Sequence, residues 1–218
     1  MRGHNAEFTA DPLNYVSKRA VNNLTWFAKT VRAGNASPES ALNNALAIQK
    51  SGFFDLETTS ISAVEFKVTG PAGLIGDTPI GAYWCPFIQG GGLPGYVDIP
   101  KKNPPLKFVF TAAMNGCRLV VTNYSATHYR VYHNQHPDGN NAESQRIWNL
   151  IKAQGHEIVS HFGWDEYAPA GNAFPPNAFN FLYYRNGNWN YVSQAQTFDM
   201  VTKEVRPTPG GALLRSIL

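Results

Sequence analysis

The 218-residue sequence has only two cysteines, Cys85 and Cys117. Two thiols make one bridge at most, which excludes a disulfide framework. Charge is sparse as well: 15% of residues are charged and the net charge is +3. A balance that small and scattered excludes a nucleic-acid-binding face. The densest basic spot, Lys101-Lys102 with Lys107, reads as a solvated loop rim. No charged-then-apolar leader opens the sequence, so no classical signal peptide is read, and no apolar run approaches a membrane span. Cys-x-x-Cys, His-Glu-x-x-His and Gly-x-Ser-x-Gly are all missing. His133-x-x-His136 and His156-x4-His161 are loosely ligand-like, but zinc needs a third or fourth ligand at a fixed place. Neither metal nor cofactor is expected. The cluster Gln89-Gly-Gly-Gly-Leu-Pro-Gly95 lacks the lysine and Ser/Thr of a phosphate-binding loop, so it reads as a loop. There is no internal repeat and no low-complexity segment.

What is present is apolar and aromatic: 43% and 13% of residues. That is enough to bury one sizeable core. Met1 to Ala10 is polar and reads as loose. Asp11-Pro12 is a helix start, followed by Leu13, Val16, Ala20, Leu24, Phe27 and Val31 at steps of three and four, with Gly34 as the stop. Ser37-Pro38-Glu39 starts a second helix, with Leu42, Ala45, Leu46 and Ile48 as its buried stripe and Gly52 as its end. From Ile61 the period changes to two. Val64, Phe66 and Val68 alternate with Glu65 and Lys67, which is a half-buried strand. Further strands read over Ile80–Ile88, Leu106–Phe110, Ile158–Phe162, Ala178–Tyr184, Trp189–Ser193 and Phe198–Val205. Arg185-Asn-Gly-Asn188 is a tight hairpin turn. Asn140 or Asn141 caps a helix running to about Gln154, with Ile147, Trp148 and Ile151 inward and Gly155 as its stop. Helices at the front, strands behind and one helix among them predict an α+β fold: a strand-rich core over residues 61–205 and an N-terminal helical segment over residues 1–50, in one domain of residues 1–218.

The candidate chemistry sits in one hairpin. Asn115-Gly116 turns the chain and delivers Cys117 to the apolar run Leu119–Val121. Tyr129–His133 is the return strand. Pairing Cys117 with His133 sets Leu119 against Val131 and Val121 against Tyr129, and leaves Asn123–Thr127 as a five-residue loop. Side chains alternate with period two, so the thiol and the imidazole share a face, with Cβ atoms roughly 4.5–5.5 Å apart. An imidazole there can take a thiol proton and leave an attacking thiolate. Gly116 permits close backbone approach, and the N–H groups around Asn115, Gly116 and Cys117 are candidate oxyanion donors. His128 competes for the role of base, but in this register it pairs with Thr122 at the far end of the hairpin. His136 lies in a turn and reads as a surface group. The plain alternative is that Cys117 is a small core residue.

Leu106-Lys-Phe-Val-Phe-Thr-Ala-Ala-Met-Asn-Gly-Cys-Arg-Leu-Val-Val resembles the active-site strand of the Burkholderia lethal factor family and, more distantly, the catalytic domain of cytotoxic necrotizing factors. Tyr83-Trp-Cys-Pro-Phe-Ile-Gln-Gly90 also resembles the lethal factor family. The likeness runs from about Ala82 to Trp148. The family has Leu-Ser-Gly-Cys where this sequence has Met114-Asn-Gly-Cys117, so Asn115 replaces a serine beside the nucleophile.

The resemblance implies a sandwich of mixed sheets and a bacterial toxin or effector, secreted or injected, that acts in the host cytosol. It implies deamidation of a glutamine of a host protein, with Cys117 as nucleophile and His133 as base. Thr111, six residues before Cys117 as a threonine is in the lethal factor site, would orient His133. The implied target is a DEAD-box translation-initiation helicase; the alternative is a Rho-family GTPase. The same pair would also serve a transglutaminase or a cysteine protease. A different class stays open: a non-catalytic module that binds a protein or a glycan. The partner expected is a host protein substrate and the chain is expected to be a monomer.

Overall fold

The computed structural model describes residues 3–23, 38–60, 62–73, 77–88, 92–135, 141–168, 177–198, 204–208, 210 and 212–218. Within the Met1–Ala10 stretch, read as loose, His4–Ala10 is helical, and residues 1 and 2 lie outside the described residues. α1 (His4–Ala10) forms despite its polar start because buried Asn5 is matched. Its backbone N–H donates to Asp77 Oδ2 at 2.8 Å, and its Oδ1 accepts from the Leu56 N–H at 2.9 Å. Asp11-Pro12 starts α2 (Pro12–Lys18), and the Asp11 side chain accepts from the Asn14 N–H. That helix does not continue to Ala20 as its spacing suggested. Ala20–Asn22 is β1, parallel to β3, and the Ala20 N–H donates to Ser62 O at 2.8 Å. Leu24, Phe27 and Val31 lie outside the described residues. α3 (Pro38–Gln49) buries Leu46 but leaves Ile48 81% exposed. Two residues along a helix is about 200° of rotation, so Leu46 and Ile48 cannot share a face. The stop is Lys50, at φ +60, rather than Gly52, which already belongs to a strand.

The other strands are β2 (Ser51–Thr58), β3 (Ala63–Thr69), β4 (Ile80–Cys85), β5 (Gly95–Pro100), β6 (Phe108–Thr111), β7 (Arg118–Asn123), β8 (His128–Asn134), β9 (Ile158–Phe162), β10 (Asn177–Arg185), β11 (Asn188–Phe198), β12 (Val205–Pro207) and β13 (Leu213–Ser216). The large sheet runs β1-β3-β2-β4-β6-β10-β11-β12, with β13 also on β11. It is mixed: β1/β3 and β4/β6 are parallel pairs. The small sheet runs β5-β8-β7-β9 and is antiparallel. The fold is therefore α+β, but strands extend before residue 61 and after residue 205. The expected strand Phe198–Val205 is not one element: Phe198 closes β11 and Val205 opens β12, and residues 199–203 lie outside the described residues.

Strand alternation divides the interior in two. One face of the large sheet carries Phe54, Phe66, Phe110, Phe179 and Phe181, covered by Phe8, Tyr15 and Val16 of α1 and α2. The opposite face carries Val109, Leu182 and Tyr191 and packs on Val97, Leu119, Val131 and Phe162 of the small sheet. The far side of the small sheet is covered by α4 (Ala142–Lys152) through Ile151 and Trp148. Asn141 caps α4, its side chain accepting from the Ser144 N–H at 2.8 Å. At the Asn186-Gly187 turn φ is +53 and +83, the left-handed pair that a two-residue hairpin needs.

The edges of the large sheet meet at a seam made by side chains. Gln194 Oε1 accepts from the Val21 N–H at 2.9 Å, and Gln196 Nε2 donates to Val21 O at 2.8 Å. Gln194 Nε2 also donates to Val16 O and Arg19 O. Two amides thus satisfy the edge of β1 where, among the described residues, no strand pairs with it.

Candidate active site

Thr111 ends β6, Cys85 ends β4, and His133 lies one residue before the end of β8. Cys117 immediately precedes β7. The site thus gathers at one end of the sandwich, between the two sheets. The hairpin register differs from the expected one by two residues: Leu119, not Cys117, is opposite His133, and Val121 is opposite Val131. The cause is that Asn123 stays paired, with Tyr129, so the loop shortens to Tyr124–Thr127. A shift of two preserves the face. Cys117 and His133 still point into the same inter-sheet core, but as diagonal neighbours at roughly 7–8 Å rather than as a direct pair. Among the described residues no hydrogen bond joins them. His128 begins β8 at the far end of the hairpin, opposite Pro100, where its Nδ1 meets the Thr127 hydroxyl at 2.9 Å.

His133 is 1% exposed and Thr111 1%. The Thr111 hydroxyl lies 2.7 Å from Cys85 O and 2.6 Å from His133 Nδ1. A carbonyl only accepts, so the single hydroxyl proton goes to Cys85 O. Toward the imidazole Thr111 must accept, which places the ring proton on Nδ1. Nε2 is then the bare lone pair, buried and without a hydrogen-bond partner among the described residues. Phe87 stands edge-on to the ring at 5.2 Å between centroids. Burial alone holds the His133 pKa down, to about 3, so the ring is neutral at physiological pH.

Cys117 is 8% exposed. Burial pushes its thiol up to about 11, against a smaller opposing effect of a backbone hydrogen bond from Asn115. The resting pair is thus thiol and neutral imidazole, not an ion pair. Asn115 itself is exposed, and Gly116 adopts φ +86 at the turn. The Gly116 N–H, a candidate oxyanion donor, donates here to the Tyr167 hydroxyl at 2.9 Å. The hydroxyl in turn donates to Cys117 O at 2.9 Å. Tyr167, from α5 (Trp164–Tyr167), therefore clasps the cysteine turn across 50 residues of sequence. Nothing local in the sequence signals this contact.

A family model for the Mcf1 activator-binding domain matches residues 5–212. The chain belongs to the Mcf1 activator-binding domain family. This is a toxin-related family. No curated protein matches the chain. Among solved structures it is similar to the C-terminal domain of CNFy from Yersinia pseudotuberculosis, at 8% identity and a TM-score of 0.34, over 75% of this chain and 87% of that one.

The remaining candidates of this family member are spread out. Cys85 is a fully buried free thiol whose Sγ donates to Val131 O at 3.3 Å, and burial raises its pKa. It contributes its backbone carbonyl, not its sulfur, to the His133 chain. His156 and His161 sit apart on aromatic edges, against Tyr124 and Trp148. His136 and residues 89–91 lie outside the described residues. The glycine-rich segment leads into β5, whose Val97 and Ile99 pack inward. No helix among the described residues is long and apolar enough to cross a membrane.

Proposed function

We propose that this toxin-family domain is a protein-glutamine deamidase acting through Cys117 and His133, secreted or injected and working on a protein of the host cytosol. The observation that carries the reading is the oriented imidazole: Thr111 fixes the Nδ1–H tautomer and leaves a free Nε2 lone pair on the face that Cys117 shares. As the Cys117 sulfur forms its bond to the carboxamide carbon, its proton passes to Nε2. The tetrahedral intermediate then expels ammonia, which takes that proton, and the C–N bond breaks. Water attacks the thioester with His133 again as base, releasing glutamate and the free thiol. The resemblance of residues 82–148 to the lethal factor family supports a translation-initiation helicase as target, with Rho-family GTPases as the alternative.

The test is mass spectrometry of host proteins incubated with wild type and with Cys117→Ser. A gain of about 1 Da at one glutamine, present only with wild type, is the expected result of this acyl transfer. The same gain with Cys117→Ser would overturn it.

A second reading is favoured by the family description. In it the chain is the binding site for an activating protein, and Cys117 and His133 are core. The burial of both side chains fits that reading. It is supported if a host protein binds wild type and Cys117→Ser alike and gains no mass.

A further inference from the structure

The face of the large sheet that His133 meets carries a row of polar side chains. Cys85 is paired with Thr111, and the β6–β10 ladder ends at Phe110–Phe181, one residue before Thr111 on one strand and one after Asn180 on the other. Asn180 is in turn paired with Ser193. Directly paired residues share a face, and all four alternate with residues of the opposite aromatic core, so the row faces the small sheet. Thr111 is occupied by Cys85 O and His133. Asn180 and Ser193 are 1% and 2% exposed, yet among the described residues Asn180 Oδ1 and Ser193 Oγ have no hydrogen-bond partner. Asn180 Nδ2 donates, among the described residues, to the Met114 sulfur alone, at 3.3 Å, a weak acceptor. Met114 is three residues before Cys117. Two unpaired buried acceptors on the face of the large sheet that carries Thr111 are costly in a core that merely packs.

We propose that Asn180 is the specificity-determining residue for a primary carboxamide, its Oδ1 accepting one N–H of a glutamine side chain held beside His133. Ser193 Oγ accepts the other N–H. This deepens the Cys117–His133 reading and rests on it. Both acceptors address the nitrogen end of the carboxamide, the end that departs as ammonia. The carboxylate of the product has no N–H to offer and sets lone pairs against Asn180 Oδ1. Glutamine is thereby held and glutamate released. Secondary amides, with one N–H and a substituent in place of the other, are excluded on the same ground, which separates this site from one that cleaves peptide bonds.

The experiment uses Cys117 as its own reporter. Folded protein is alkylated with iodoacetamide and, separately, with N-ethyl-iodoacetamide, and adducts are mapped to the Cys117 peptide. The two reagents are neutral and differ in the amide alone. In wild type the rate ratio should exceed that of free cysteine by about tenfold. Asn180→Leu should return the ratio to the free-cysteine value without lowering the melting temperature, and Ser193→Ala should reduce it partway. The Ser193→Ala variant keeps the test decisive if Asn180→Leu does not fold. A wild-type ratio equal to that of free cysteine overturns the proposal. So does a ratio unchanged in Asn180→Leu and Ser193→Ala, or no labelling of Cys117 by either reagent. A preference without any glutamine-to-glutamate conversion sinks the deamidase reading and keeps the site. Conversion without the preference sinks the role of Asn180 alone.

Discussion

His133 should make the protein acid-sensitive in a way that one substitution removes. Its pKa is about 3 in the folded protein and about 6.5 in the unfolded chain, because burial disfavours the cation. The folded pKa is depressed, so the stabilisation is fully present above pH 6.5 and is lost as pH falls toward 3. In that window the unfolded chain binds a proton that the native state refuses. The slope is about 1.4 kcal/mol per pH unit, so lowering pH from 7 to 5 costs about 2 kcal/mol. His133→Gln keeps a side chain able to meet the Thr111 hydroxyl and carries no titrating group. Every other histidine is common to both proteins and cancels in the difference. Thermal or urea unfolding across pH 5–7 should show wild type losing about 2 kcal/mol more than the variant, roughly 4–8 °C in Tm for a chain of this size. Parallel curves would mean that His133 is protonated or solvated in the native state. The neutral Nε2 base would then be wrong.

The same two pKa values predict that any Cys117-dependent rate is flat between pH 5 and 9, since neither group titrates there; a bell-shaped profile inside that range would point to a preformed ion pair. His133→Ala should lower deamidation by orders of magnitude and His128→Ala by less than about twofold, because His128 lies at the opposite end of the hairpin; steady-state kinetics on the mapped glutamine decides. Tyr167→Phe removes the partner of the Gly116 N–H and should cost about 1–3 kcal/mol by urea unfolding; an unchanged midpoint would show that the clasp is dispensable. Gln194→Leu orphans backbone groups of Val16, Arg19 and Val21, and should cost about 3 kcal/mol or more, with accelerated amide exchange in β1 as a second readout.

The strands with clean period-two patterns were legible because one face of each is apolar, as in Val64-x-Phe66 and Phe179-x-Phe181. The Asn186-Gly187 turn was legible because few residues tolerate its backbone. The common face of Cys117 and His133 survived a wrong register for the same reason: two-residue slips do not change faces. What failed was set by distant partners. α1 is held by Asn5 reaching Asp77 and Leu56, and polarity at Asn5 looks like a loop until those partners are known. The second helix is cut at Lys18 by pairing with β3, which overrides a good amphipathic spacing. Gly52 and Phe53 belong to β2, and Gly52 resembled a helix stop because a glycine ends helices more often than it opens strands. Val97 and Ile99 did alternate, but the glycine and proline flanking them masked β5. Tyr167 and Asn180 carried no local signal at all.

The seam between β1 and β11 sets a condition on timing. Gln194 and Gln196 grip Val16, Arg19 and Val21, groups separated from them by 173 to 178 positions. Closure of that edge must wait until synthesis has passed Gln196, because no earlier stretch supplies the two amides. Until then β1 has an unsatisfied rim, and the sheet is open along one side. A contact of such sequence separation carries a large loop-closure cost and slows the final step. The nascent domain therefore stays incomplete during most of its own synthesis, the state in which a chaperone or an export machine can hold it unfolded.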